Sequence, residues 1–355
     1  MLHARRGAGR EIFEFEFDAL ALAYPPLACL HLDPRIGNFQ GRQYPAQDHD
    51  TFGVFSDVSP DRWGRTLMRR RLERAKRAGL ADRAVSLYES DYLLGVHDTY
   101  RIGALRFKLD ENGDFLDNQH DQAAPPFVQL RKLEAASLAL ERDADNTSAK
   151  GDEWLNMLIA PGGSLGGARP KASVVDPDGN LWIAKFPSID DKHDVGAWEL
   201  VVHSLARRCG IRVPETAAKR FANPHHTILV KRFDRTPARR RLHFASAMTL
   251  TGHKDGDDAS TGASYLEIAR VLIDHGAQTD ADLRELWSRI VLNLLVSNSD
   301  DHLRNHGFIF VPGKGSALSD AYDMNPVPNS HGLKLNISEA DNAMDLVWLL
   351  EAAVC

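Results

Sequence analysis

With 355 residues, 43% of them hydrophobic and 26% charged, the chain has the make-up of a globular protein large enough for two lobes, which excludes a disordered or fibrous one. A formal charge of -6 excludes a surface dominated by a nucleic-acid footprint, so function is sought in a site. Cys29, Cys209 and Cys355 are scattered and form no CxxC pair, which points away from a disulfide framework or zinc cluster and fits a reducing, cytoplasmic setting.

The N-terminal arginines precede no apolar h-region, and no apolar run reaches membrane-spanning length, so neither an export signal nor a membrane anchor is expected. In EIFEFEF the alternation of Ile12, Phe13, Phe15 and Phe17 with acidic residues predicts a strand with one wet face. Asp61 opens a run of helix formers, DRWGRTLMRRRLERAKRAGL, that closes at Gly79. Its arginines read as a solvated face, with DNA or an acidic partner as the alternative. YRIGALRF predicts a strand, and the polar, proline-ended segment KLDENGDFLDNQHDQAAPP reads as a connector, placing a boundary near residue 125.

Beyond it, VQLRKLEAASLALERDA has helical periodicity and PGGSLGGARPK is a glycine-rich loop. ASVVDPDGNLWIAKF reads as a hairpin, and AWELVVHSLARRCG as a helix ending at a glycine. The strand HTILVKRFD and two helices, SYLEIARVLIDHG and DADLRELWSRIVLNLLVSN, lead to NSDDHLRNHGFIFVPGKGSALSDAYDM. A β-rich half is followed by a helical half.

Phosphoryl transfer needs a group to orient the acceptor hydroxyl, ligands for a metal on the phosphates, and a cation on the nucleotide. Asp300 and Asn305 are separated by four residues after an apolar helix, the spacing of the protein-kinase catalytic loop. That spacing alone also fits a polar helix cap. FIFVPGKGSAL reads as a hairpin that delivers Asp323, where a second metal-binding carboxylate belongs. Lys185 sits in the apolar strand LWIAKF, either as a snorkelling edge residue or as a phosphate ligand, and Glu199 on the following helix is placed to pair with it. The glycine-rich loop fits neither the P-loop nor the dinucleotide spacing. Its glycines allow close approach to a phosphate, with Arg169 and Lys171 adding positive charge, while a surface turn is the plainer reading. His225, His226, His302 and His306 form no HxxxH arrangement, so no zinc site is assigned.

Taken together, FGVFSDVSPDRWGR, IGALRF, SLGGARPK, IAKF, WELVVHSLARRCGIRVPE, LVKRFDR, SNSDDHLRNHGFIF and AYDMNP resemble the HipA toxin kinases over most of the chain. The resemblance implies an α+β, protein-kinase-like two-lobed fold: a β-rich N-terminal subdomain over 1–125, a nucleotide-binding lobe over 126–236, and a mainly helical lobe over 237–355. It implies ATP and Mg2+ as cofactors, with Asp300 as catalytic base, Asn305 and Asp323 holding magnesium, and Lys185 on the phosphates. His302 and Tyr322 would lie beside the nucleotide. Val230, Lys231, Arg232, Phe233 and Asp234 would form the hinge, with backbone hydrogen bonds to adenine and Asp234 near the ribose. Ser164, seven residues before Lys171, stands where the family is autophosphorylated, and a doubly charged group there would compete with the ATP phosphates.

In this family the protein substrate is a translation factor such as an aminoacyl-tRNA synthetase, and a HipB-like helix-turn-helix antitoxin is the partner through which DNA is reached. Relative to it, the chain lacks the first strands of the N-terminal subdomain, and EAAVC falls before the last helices, so a shortened helical lobe is expected. Asp301 is given no catalytic role. A small-molecule kinase and a weakly catalytic binding protein, the latter motivated by the basic helix around Arg69 to Arg71, are the other readings.

Overall fold

In a computed structural model, residues 1–7, 10–117, 125–159 and 167–345 are described. The N-terminal unit opens with a hairpin of β1 (Leu2–Gly7) and β2 (Arg10–Phe15), followed by α1 (Ala19–Leu22), α2 (Gly53–Asp57), α3 (Arg62–Arg77) and α4 (Glu89–Leu94). Phe13 turns from β2 into a core with Phe52, Val54, Phe55 and Leu93, as the alternation in EIFEFEF predicts. LHARRG lacks that alternation, and β1 exists because it pairs with β2 along its whole length.

Asp61 caps α3 by accepting from the Gly64 N–H. The arginines of α3 do not form a plain solvated face. Arg70 donates to the carbonyls of Leu140 and Asp143, Arg74 to those of Asn146 and Ser148 and to Asp152, and Arg77 to those of Asp145 and Asn146. They form a comb over the end of α5 (Leu130–Arg142), where helical carbonyls lack internal partners.

The segment YRIGALRF is not a strand. Arg101 is fully buried, with its guanidinium on the carbonyls of Val58, Leu93 and Val96. Those bonds draw the segment into an irregular path where a strand ladder would otherwise satisfy the backbone.

Next come α6 (Gly151–Leu158), β3 (Lys171–Val175), β4 (Leu181–Lys185), α7 (Val195–Arg208), β5 (Thr216–Lys219) and β6 (Thr227–Lys231), with the strands in an antiparallel sheet of order β3-β4-β6-β5. Leu130, Leu133 and Leu140 on one stripe of α5 pack with Leu155 and Leu158 of α6 and with Ala172, Ala184 and Leu229 of the sheet. Trp63 and Leu67 of α3 belong to this same core, so a helix from the far side of the expected boundary near residue 125 is built into the lobe that follows it. Each buried leucine contributes about 1.5–3 kcal/mol.

The rest comprises β7 (Phe244–Ser246), α8 (Ala247–Thr251), α9 (Tyr265–His275), α10 (Thr279–Leu295), β8 (Gly307–Val311) and β9 (Gly315–Leu318), with sheet order β7-β8-β9. Leu286, Ile290 and Leu294 follow one face of α10 into the core of this lobe, together with Ile268 and Leu272 of α9. Leu292, on another face of α10, packs with Val202 and Ala206 of α7 and with Ala321 and Met324, tying the two lobes behind the cleft.

Candidate functional site

Lys185 ends β4 with its Nζ 2.6 Å from Glu199 Oε1 and 2.6 Å from Asp323 Oδ1. α7 presents Glu199 because Asp194 caps the helix at the Ala197 N–H, which fixes its start beside the sheet. Asp323 arrives five residues after β9, at φ 57°, a left-handed backbone that costs a non-glycine residue energy and is held only where the surroundings demand it. Burial opposes the Lys185 ammonium, but Asp323 and Glu199 outweigh it and hold its pKa above the usual lysine value. Asp323 is pressed in the other direction, to about 2, because the lysine prevails over burial. Of the two readings of Lys185, the snorkelling edge residue is excluded: its charge faces inward onto two carboxylates.

Asp300 is exposed, and among the described residues its carboxylate has no hydrogen-bond partner. Asn305 donates its amide N–H to the Asp300 carbonyl at 3.3 Å and its backbone N–H to the His302 carbonyl at 2.8 Å, closing the loop between them. This leaves the amide oxygen of Asn305 and the carboxylate of Asp323 as hard oxygen donors of the kind magnesium takes. Among the described residues no group of three or more acidic, histidine or cysteine side chains forms a metal cluster, whereas the expected pair is one amide and one carboxylate. His302 has its Nδ1 buried without a partner among the described residues, and the Tyr322 hydroxyl donates to the Arg304 carbonyl at 2.7 Å. The rings of Tyr322 and Phe233 meet at 5.5 Å, so the end of the hinge touches the Asp323 turn.

The hinge residues are more occupied than the sequence shows. Val230 pairs within the sheet, the Lys231 N–H donates to the Glu215 carbonyl at 2.9 Å, and the Arg232 N–H to the Leu181 carbonyl at 3.0 Å. Arg232 and Asp234 are buried: the Asp234 carboxylate accepts from Arg232 Nε and Nη2 at 2.8 and 2.6 Å, from Arg235 Nη1 at 2.6 Å and from the Gly103 N–H at 2.7 Å. Arg232 also reaches the carbonyls of Tyr100 and Arg101. The N-terminal unit thereby grips the segment expected to form the hinge.

Burial raises the Asp234 pKa, but the two arginines overcome it and bring it to about 2. A carboxylate depressed below its unfolded value stabilises the fold above about pH 4 and loses that contribution as pH falls through about 2; the magnitude is of the order of 2 kcal/mol. Equilibrium unfolding between those pH values is expected to show a steeper acid limb in the wild type than in Asp234→Asn. Equal limbs would place the acid sensitivity elsewhere.

Two residues that sequence reading took no further than a helix start also reach the site. Asp61 Oδ2 lies 2.9 Å from Lys171 Nζ, with both side chains 2% exposed, and Lys171 is the cross-strand partner of Lys185. Trp63 donates its indole N–H to the Lys171 carbonyl at 3.0 Å and its backbone N–H to the Gly167 carbonyl at 3.4 Å. The stem of the glycine-rich loop is thus fastened to the first turn of α3. A cap residue followed two positions later by tryptophan is a faint signal, since nothing in the spacing tells of a partner more than a hundred residues away. Ser164 lies outside the described residues.

Residues 163–353 match the family described as the HipA-like C-terminal domain. The chain belongs to the HipA-like family. Among its relatives, a candidate kinase of Haemophilus influenzae is 28% identical over 179 residues, covering 46% of this chain and 52% of that protein. A candidate kinase of Sinorhizobium fredii, Y4dM, is 32% identical over 158 residues, covering 41% of this chain and 37% of that protein. The chain thus spans about half or less of the length of these relatives.

A chain of the Shewanella oneidensis MR-1 toxin–antitoxin complex of HipA, HipB and operator DNA matches with a TM-score of 0.61 at 16% identity, over 99% of this chain and 81% of that one. That likeness establishes the HipA-like α+β fold expected from the sequence. The family match begins at residue 163, so Asp61 and Trp63 belong to the site of this HipA-like chain from outside the shared domain. Among the described residues no helix is long and apolar enough to cross a membrane.

Proposed function

We propose that the chain is an ATP-dependent serine/threonine protein kinase of the HipA toxin type. The observation that carries this reading is the junction of Lys185, Glu199 and Asp323, which joins a sheet lysine, a helix glutamate and a strained aspartate after a hairpin. That is the constellation phosphoryl transfer requires. Asn305 and Asp323 would hold Mg2+, which would offset the charge of the ATP phosphates, and Lys185 would meet the phosphates from the sheet. Asp300 accepts the proton of a serine or threonine hydroxyl as its oxygen bonds to the γ-phosphorus. The bond to the bridging oxygen breaks and ADP leaves.

Adenine lies along the hinge from Val230 to Asp234, with His302 and Tyr322 beside the nucleotide. Family membership supports a translation-related protein as substrate, such as an aminoacyl-tRNA synthetase, autophosphorylation at Ser164, and a HipB-like antitoxin as partner and sole route to DNA. A cytoplasmic location goes with that substrate. Of the basic helix that motivates a separate binding role, Arg70, Arg74 and Arg77 are engaged on backbone carbonyls, while Arg69 and Arg71 are exposed.

The test is incubation of the purified chain with Mg2+ and γ-labelled ATP, alone and with a cell extract, followed by mass spectrometry of labelled peptides. Label on serine or threonine, including Ser164, is the expected result. Label confined to a small molecule would replace the protein-kinase reading with a small-molecule kinase, and nucleotide binding with no transfer would leave a binding protein.

A further inference from the structure

Directly after Asp300 the chain turns Asp301 the opposite way, into the lobe. Its Oδ2 accepts from the Tyr265 hydroxyl at 2.6 Å, Asn293 Nδ2 at 2.8 Å and His306 Nε2 at 2.8 Å. With three donors on one buried oxygen, Asp301 is a clamp on the loop that carries Asp300 and Asn305. The clamp continues toward the other half of the site. Asn293 Oδ1 accepts from Asn298 Nδ2 at 3.0 Å, Asn298 Oδ1 accepts from the Asn325 N–H at 3.4 Å, and Asn325 Nδ2 donates to Glu199 Oε2 at 3.4 Å. Glu199 holds Lys185, and Lys185 holds Asp323.

A carboxylate stands at each end of this path, and an ionised carboxylate only accepts. The amide orientations are therefore fixed from both ends. Asn293 must point its nitrogen at Asp301 and its oxygen at Asn298, and Asn325 must point its nitrogen at Glu199. The side chains of Asn293 and Asn298 are buried with their amides paired in this direction. Asn325 Oδ1 is buried and has no partner among the described residues. An amide placed for stability alone would satisfy its oxygen as well, since a buried unpaired acceptor is unfavourable. Asn325 instead gives that up to hold the second oxygen of Glu199, two residues after the strained Asp323.

We propose that Asn298 and Asn325 are positioning residues, linking the Asp301 clamp beneath the catalytic loop to the Lys185–Glu199 pair so that base, metal ligands and phosphate cation keep one geometry. The inference rests on the phosphoryl-transfer reading of the same site and adds two residues to it. Both act through other groups, and neither touches the substrate.

The experiment compares wild type, Asp300→Asn, Asn325→Ala and Asn298→Asp in ATP-dependent label transfer, in ATP affinity by calorimetry, and in amide hydrogen exchange over residues 298–306. Asn298→Asp preserves shape but sets an oxygen against Asn293 Oδ1; Asn325→Ala, at a partly exposed position, removes only the Glu199 end. For both, kcat should fall about 10–100-fold while ATP affinity changes by less than about threefold, because misplacement of reacting groups acts on the chemical step. Faster exchange over 298–306 should accompany the loss in Asn298→Asp.

If wild type transfers phosphate, Asp300→Asn does not, and both asparagine variants keep wild-type kcat, the inference is overturned and the kinase reading survives. If wild type transfers nothing, the kinase reading fails, and exchange over 298–306 decides the inference: faster exchange in Asn298→Asp sustains the link, and unchanged exchange removes it. Should Asn298→Asp fail to fold, kcat of Asn325→Ala decides in an active enzyme, and exchange over 298–306 in the milder Asn298→Ser decides in an inactive one.

Discussion

Asp300→Asn is expected to lower phosphate transfer by about 10²–10⁴-fold, the usual contribution of a positioned general base, while ATP still binds. The substitution keeps size and removes the negative charge. Asp300 is exposed and its carboxylate is bound to nothing among the described residues, so the change breaks no internal ion pair and stability should hold. Single-turnover transfer measured with saturating labelled ATP, beside calorimetric ATP affinity, separates the two effects. Transfer at wild-type rate would remove Asp300 from the role of base. Lost affinity with normal single-turnover chemistry would move it to nucleotide binding.

Asp61→Ala is expected to be the most destabilising single change in the cleft, by about 3–5 kcal/mol, because it strands a buried ammonium without its counter-charge. Burial drives Lys171 toward a lower pKa and Asp61 toward a higher one, and each offsets part of that shift for the other. Lys171 also faces Lys185 across the β3–β4 pair, and like charges directly opposite destabilise a sheet. Losing the helix cap accounts for only about 1 kcal/mol of the total. Asp61→Asn preserves a good cap and isolates the charge effect. In urea unfolding, Asp61→Ala combined with Lys171→Met should recover part of the loss. A double variant no better than Asp61→Ala would show that the pair contributes through packing and capping.

The hydrophobic periodicity of the two long helices of the second lobe, the β8–β9 hairpin and the Asp61 cap were all legible, because each depends on residues within a turn or two of one another. So was the pairing of Lys185 with Glu199, since a charged residue in an apolar strand must find an opposite charge, whereas its second bond, to Asp323, was not. The grip of Asp234 on Gly103, the arginine comb and the Asp61–Lys171 pair were not. A polar pattern states that a donor needs an acceptor, and says nothing of which acceptor the fold brings. Arg101 is the clearest case: YRIGALRF has the composition of a strand, and one buried guanidinium on three carbonyls decides otherwise. Asp301 was given no catalytic role, and nothing in the spacing told that its carboxylate turns inward onto Tyr265, Asn293 and His306.

Trp63 and Leu67 lie in one core with α5, α6 and the sheet, which bears on how the protein can be cut. A recombinant fragment starting at residue 163, where the match to the HipA-like C-terminal domain begins, would lose α3, α5 and α6, uncover the apolar face of Ala172, Ala184 and Leu229, and leave the Lys171 amine without Asp61. Such a fragment should express as aggregate, whereas a protease acting on the whole protein should find no cleavage point that releases the shared domain intact and soluble.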